Sequence, residues 1–225
     1  MNGETEVETR SPIPLPRLWL TVVAVLAGLV FLALTFAVWR SNEPIRTDRV
    51  LYRWMFDLGL TGRRGLLRSR RLSVLLADLG SPAAVGLLAM ASVGLALLWR
   101  DRVGAAVALL GPTATIVVTE LVAKPVINQP VLGPGRVFPS GHAAGLAAAA
   151  IVLVLVLHRH RGRVASLPVA PMVLAAVAAM GVSAVRLGRH YPTDVVGGVA
   201  LAMAVVLGLM AIGSKFDARR SSPTP

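Results

Sequence analysis

The chain has 225 residues, 55% hydrophobic and 15% charged, where a soluble globular domain averages roughly 45–50% and about 25%. With a mean hydropathy of +0.70, this composition argues against an ordinary water-soluble protein. It holds no cysteine, which excludes disulfides, thiolate metal centres and a cysteine nucleophile and leaves the redox compartment open. The net charge of +12 comes without a nucleic-acid-binding motif, so anionic lipid headgroups and phosphorylated substrates are the expected partners, not nucleic acid.

A bilayer core needs about 20 apolar residues per helix. Residues 1–17, opening "MNGETEVETR", read as a disordered tail, and Leu18–Trp39 follows as a first span, too long and too acidic in its lead-in for a cleaved signal. The segment Arg40–Arg71 then carries Arg at 40, 46, 49, 53, 63, 64, 68, 70 and 71. Within it, helical spacing places Val50, Leu51, Trp54, Met55 and Leu58 near one face, which predicts an interfacial amphipathic helix. Its arginines read as a solvated basic surface that helps fix topology, with recruitment of anionic lipid as the alternative.

Five further spans are expected at about Leu72–Trp99, Val103–Ala123, Ser140–His158, Pro168–Leu187 and Asp194–Gly213. Asp78, Gly80 and Pro82 interrupt the second span, so its first turns are placed in the interface. "HRHRGR", with His158 and His160, reads as an ordinary basic loop, and residues 214–225 as a disordered tail. The fold expected is all-α: a polytopic membrane protein with a single six-helix domain over 18–213. Ala143, Ala144, Gly145, Ala147–Ala150, Gly197 and Gly198 suit close helix contact in lipid.

Ionisable groups at membrane depth are costly and are functional candidates. With six spans, the segments 124–142 and 186–194 emerge on one face. In Pro139-Ser140-Gly141-His142, Ser140 suits an N-cap and Gly141 lets an anion approach the backbone. The free N–H groups there favour phosphate, with His142 in the first turn. His190 and Asp194 lie four residues apart around Pro192. A carboxylate on imidazole Nδ1 leaves Nε2 as nucleophile or base. Read singly, each is also explained as a helix cap; together, beside Lys124 and several arginines, they favour chemistry on an anion. No carboxylate cluster accompanies them, so no metal or other cofactor is expected.

These residues resemble the type-2 phosphatidic acid phosphatase (lipid phosphate phosphatase) family, related to the vanadium haloperoxidases. Of its three motifs, Pro139-Ser140-Gly141-His142 is complete, the third keeps Ser183, His190 and Asp194, and the first keeps Lys124. Val131 and Ala184 stand where the family has arginines; Arg136 and Arg186 are the nearest replacements. The resemblance implies a membrane lipid phosphate phosphatase acting on a polyprenyl or glycerolipid mono- or diphosphate. It implies His190 as nucleophile, Asp194 orienting it and His142 as general acid and base. Lys124, Ser140, Gly141 and Arg136 or Arg186 would hold the phosphate. It also implies an active site on the outer face of the cell membrane, which puts Arg40–Arg71 outside against the positive-inside tendency. The alternatives are a lipid phosphotransferase or a non-catalytic lipid-binding or transport protein; no oligomeric state is implied.

Overall fold

In lipid a backbone must satisfy its own N–H and C=O groups, so each apolar run becomes a helix. The computed structural model describes residues 16–41, 44–61, 67, 69–127 and 138–220. Helix α1 (Arg17–Trp39) packs along α8 (Pro192–Arg220), while Leu18, Trp19, Leu26, Leu29 and Leu32 face outward. Helix α2 (Arg46–Asp57) turns Asp48 and Met55 into the protein and Val50, Trp54 and Leu58 out. The single apolar face expected there is therefore split. Val50, Trp54 and Leu58 follow each other at four-residue steps along one stripe, whereas Met55 lies a further 100° round.

Helix α3 (Arg70–Ala77), a 3₁₀ turn over Asp78–Gly80 and α4 (Pro82–Leu98) together form a pair bent by 47°. Pro82 has no N–H to continue the helix, and Ser81 caps the new one by accepting from the Ala84 N–H at 3.3 Å. Helix α5 (Arg102–Val117) widens into a π-helical turn, Val118–Ala123, and ends as α6 (Lys124–Ile127).

Helix α7 (Gly141–Arg186) has 46 residues, about 69 Å if straight and more than twice the roughly 30 Å hydrocarbon core. It is not straight. Gly162 has φ 67° and ψ −161°, a region that only glycine enters without strain. The chain folds back there: His158 Nδ1 meets Ser166 Oγ at 3.1 Å. Ala147, Ile151 and Leu155 of one arm share an apolar groove with Ala170, Val173 and Val177 of the other. The first arm's alanines, Ala143, Ala144 and Ala147–Ala150, are all buried. Without a hydrophobic drive between helices in lipid, such close backbone approach supplies the dispersion energy of the bundle.

"HRHRGR" is not a solvated loop. Arg159 is 2% exposed and grips Asp101, Nε to Oδ2 at 2.8 Å and Nη2 to Oδ1 at 3.2 Å. His160 Nε2 joins at 3.0 Å, its ring stacked on Trp99. Asp101 also caps α5 through the Gly104 N–H at 2.7 Å. The segment is helical, so two of its basic side chains turn inward, and the aspartate makes that burial tolerable. At the C-terminus, helix α8 runs on to Arg220 where a tail from residue 214 was expected, because no glycine or proline interrupts "SKFDARR".

Among the described residues, four helices are long and apolar enough to cross a membrane, and a fifth if the bent pair is one span. The protein is a multi-pass, all-helical membrane protein.

Candidate active site

The starts of α7 and α8 meet. The Ser140 N–H donates to the Asp194 carbonyl at 3.0 Å. Gly198, one turn beyond Asp194 on α8, lies so close that a Cβ there would sit 2.6 Å from the Ser140 carbonyl oxygen. The Ser140 hydroxyl caps α7 by accepting from the Ala143 N–H at 3.3 Å. Opposite, the Asp194 carboxylate accepts twice through Oδ2, from the Tyr191 N–H at 2.9 Å and from His190 Nδ1 at 3.2 Å. An ionised carboxylate can only accept, so Nδ1 is the donor in such a pair, and a neutral ring held this way presents the lone pair on Nε2. Asp194 is fully buried and His190 nearly so.

Behind this turn, Asp48 of α2 accepts from the Thr193 N–H at 2.9 Å and from its hydroxyl at 2.7 Å. Burial pushes the Asp48 carboxyl above its usual range, and the two bonds from Thr193 work against that rise.

A cavity of 770 Å³ opens at the junction. Its polar mouth holds His142, His190, Lys124, Arg189, Glu120 and the bare backbone of Gly141. Its wall then becomes apolar between α4 and α5, with Val85, Ala89, Pro112, Ile116 and Val117. The π-helical turn lies immediately before Lys124, a distortion often found at functional sites. Lys124 Nζ pairs with Glu120 Oε1 at 2.6 Å. That same carboxylate oxygen lies 2.5 Å from where a Gly141 Cβ would be, so an anionic oxygen already rests against the α7 amino end. Arg189 lies 3.8 Å from Asp78 at the rim. The mouth thus offers two cations and a helix amino-terminus to an anion, with two imidazoles on the same cavity.

Residues 86–217 match the PAP2 superfamily, more than half of the chain. The chain belongs to the PAP2 superfamily. A solved structure, described as the first transmembrane PAP2 type phosphatidylglycerolphosphate phosphatase from Bacillus subtilis, has the same fold. It is 21% identical, with a TM-score of 0.65 over 90% of this chain and 98% of that one. No curated protein matches the chain.

In this PAP2 chain, His142, His190, Lys124 and Gly141 line one cavity, with Asp194 held behind His190. Ser140 is fully buried and its hydroxyl is occupied as a cap. Ala184, in the place of a PAP2 motif arginine, contributes a methyl to the cavity wall. Arg186 does not line it. The helix stays regular through Arg186, so two residues beyond Ala184 turn its side chain by about 200°, and Nη1 donates to Ser73 Oγ of α3 at 3.1 Å. Arg136 and Val131 lie outside the described residues. Arg189, Glu120 and Asp48 are additions that the sequence reading did not assign to the site. Arg189 adjoins His190 and Glu120 precedes Lys124 by one turn, so both had a local signal; Asp48, 145 residues from Thr193, had none.

Proposed function

We propose that this PAP2 protein hydrolyses a lipid mono- or diphosphate through a phosphohistidine, without a metal ion. One observation carries this reading: a single cavity joins two imidazoles and two cations at its mouth to an apolar cleft between α4 and α5. A phosphate headgroup suits the first part and an acyl or prenyl chain the second. The solved relative is named for phosphatidylglycerolphosphate, which places that lipid in the panel beside phosphatidic acid and prenyl diphosphates.

In the proposed reaction, His190 Nε2 attacks phosphorus in line with the leaving lipid oxygen. Lys124, Arg189 and the α7 amino end hold the equatorial oxygens, displacing Glu120 from that position. Asp194 balances the charge that grows on His190. His142 gives its proton to the lipid oxygen, which departs as the alcohol or lipid monophosphate. His142 then takes a proton from water as its oxygen attacks phosphorus, the P–N bond breaks, and inorganic phosphate leaves. General acid–base help is typically worth about 10²–10⁴-fold.

The bent pair completes a span and the Gly162 hairpin contributes two, giving six in all. In this arrangement α2 lies in the interface beside the active-site mouth, with Val50, Trp54 and Leu58 in lipid and its arginines toward anionic headgroups. The site faces outward from the cell membrane, so a cysteine placed at Ser41 should be labelled from outside and one placed at Ser221 from the cytoplasm. The reverse pattern would refute this orientation, and labelling of both from one side would refute an odd number of crossings between them. For the chemistry, phosphate release from the lipid panel is measured in detergent with chelator present. His190→Ala should release none and leave no labelled phosphoenzyme, while His142→Ala should keep trace turnover. Equal residual rates in the two variants contradict the assigned roles.

A further inference from the structure

We propose that Asp48 is a positioning residue for the His190–Asp194 pair, acting through Thr193 from a helix outside the motif-bearing core. The proposal rests on the phosphatase reading for its kinetic consequence.

The first turn of α8 has an unusual capping problem. Pro192 has no N–H, and the Asp194 N–H reaches the Tyr191 carbonyl at 3.1 Å. The Thr193 N–H is the donor left over, and a side-chain oxygen at the position before Pro192 would ordinarily take it. That position is Tyr191, whose phenol is not a capping group. Asp48 takes the N–H instead and adds the Thr193 hydroxyl. Thr193 directly precedes Asp194, so the two bonds fix the rotation of the turn that aims Oδ2. The aim matters because Asp194 Oδ2 holds His190 at 3.2 Å, the long limit for a hydrogen bond to nitrogen, where a small displacement loses it.

Two further observations separate positioning from mere anchorage of α2. Asp48 is 3% exposed, and its Oδ2 has no partner among the described residues. A buried carboxylate is an expensive anchor where an apolar side chain would serve; Met55 already anchors the same helix. Next to the turn, a second cavity of 370 Å³ lies between α2 and α8, bounded by Asp48, Tyr52, His190 and Tyr191. Without Asp48 the turn has room to relax into that space.

The experiment compares the parent with Asp48→Ala, Asp48→Asn, Thr193→Ala and His190→Ala, using dioctanoyl phosphatidic acid and farnesyl diphosphate in detergent. Asp48→Ala should lower kcat about tenfold with KM within about twofold, the split expected when geometry and not binding is lost. Asp48→Asn should keep kcat within about threefold, because the amide oxygen still accepts both bonds. Parental kcat in Asp48→Ala overturns the proposal, as does an Asp48→Asn variant as slow as Asp48→Ala, which would assign the effect to charge. Should Asp48→Ala fail to fold, Thr193→Ala decides: it removes the hydroxyl bond alone, and parental kcat there overturns the proposal equally. Histidine-labelled NMR gives a readout independent of turnover. The His190 Nδ1–H signal, identified by its loss in His190→Ala, should broaden in Asp48→Ala and persist in Asp48→Asn; an unchanged signal in Asp48→Ala overturns the proposal. A parent that releases no phosphate refutes the phosphatase reading, while the NMR arm still tests Asp48.

Discussion

Gly198→Ala probes the junction on which the site depends. The added Cβ would lie 2.6 Å from the Ser140 carbonyl oxygen, 3.0 Å from the Ala144 nitrogen and 3.2 Å from the Ala143 Cβ. Ordinary contact begins at 3.4 Å, so the helices must part by up to about 0.8 Å at this point, against backbone that no rotamer change can move aside. Parting by that much would stretch the 3.0 Å Ser140–Asp194 bond beyond hydrogen-bond range. Overpacking of this kind costs about 1–3 kcal/mol, enough to lower the melting temperature without preventing folding. The kinetic effect is larger, because the same shift separates His142 from His190, and a misplacement near 1 Å costs about 10²-fold. We expect kcat to fall about 30- to 100-fold. Gly208→Ala is the control in the same helix. Nothing lies within 4 Å of its Cβ position, and alanine favours the helix by about 1 kcal/mol, so kcat should match the parent. Phosphate release and thermal unfolding in detergent measure both. A Gly198→Ala variant within about threefold of Gly208→Ala in kcat would refute the coupling of helix approach to chemistry.

Glu120→Gln removes the anion that pairs with Lys124 against Gly141, so KM should fall several-fold with little change in kcat; a raised KM would mean that Glu120 assists binding. Arg189→Ala should raise KM by about tenfold, the low end of the about 1.5–3 kcal/mol that a charged hydrogen bond is worth, because its side chain is half-exposed. Arg186→Ala should not; steady-state kinetics in which only Arg186 matters would reverse the choice. Asp101→Ala leaves Arg159 charged and buried, at a cost of about 3–5 kcal/mol, read as a lower melting temperature with near-parental kcat in the folded fraction. Burial raises the Asp101 carboxyl, but Arg159, the Gly104 N–H and His160 outweigh it and hold it below 3.8. Its contribution is therefore complete above 3.8 and is lost as pH falls through the depressed value. Asp101→Asn should accordingly flatten the acid limb of the stability curve, and an unchanged limb would contradict the pairing.

The helices were legible because their signals are local. Apolar length set their extent, Ser140 marked the start of α7, and the Pro-Ser-Gly-His turn announced that this start would carry a histidine. The choice of cation was less legible because it turns on where α7 ends. Arg186 and Arg189 are three residues apart, yet the helix continues through the first and has ended before the second, so one points to α3 and the other to the cavity. Asp48 and the Arg159–Asp101 pair were illegible for a different reason. Each joins positions far apart in the chain, and a charge run such as "HRHRGR" reads alike whether its partners are water or a distant carboxylate.

That contrast follows from the solvent. Apolar faces in lipid specify that helices form but discriminate weakly among neighbours, since a lipid tail is as apolar as leucine. Register must then come from groups for which a wrong neighbour is costly. In this chain they cluster at the two ends of the α7 hairpin's first arm: Ser140 against Asp194 at one, Arg159 and His160 against Asp101 at the other. A small-residue arm pinned at both ends cannot slide, so the histidine at its start keeps its position relative to α8. The polar lock remote from the cavity secures the arm in the bundle but touches none of the groups that line the cavity, while the lock beside the cavity sets the local approach of α7 to α8. A defect at Asp101 should therefore appear first in stability and only through unfolding in turnover.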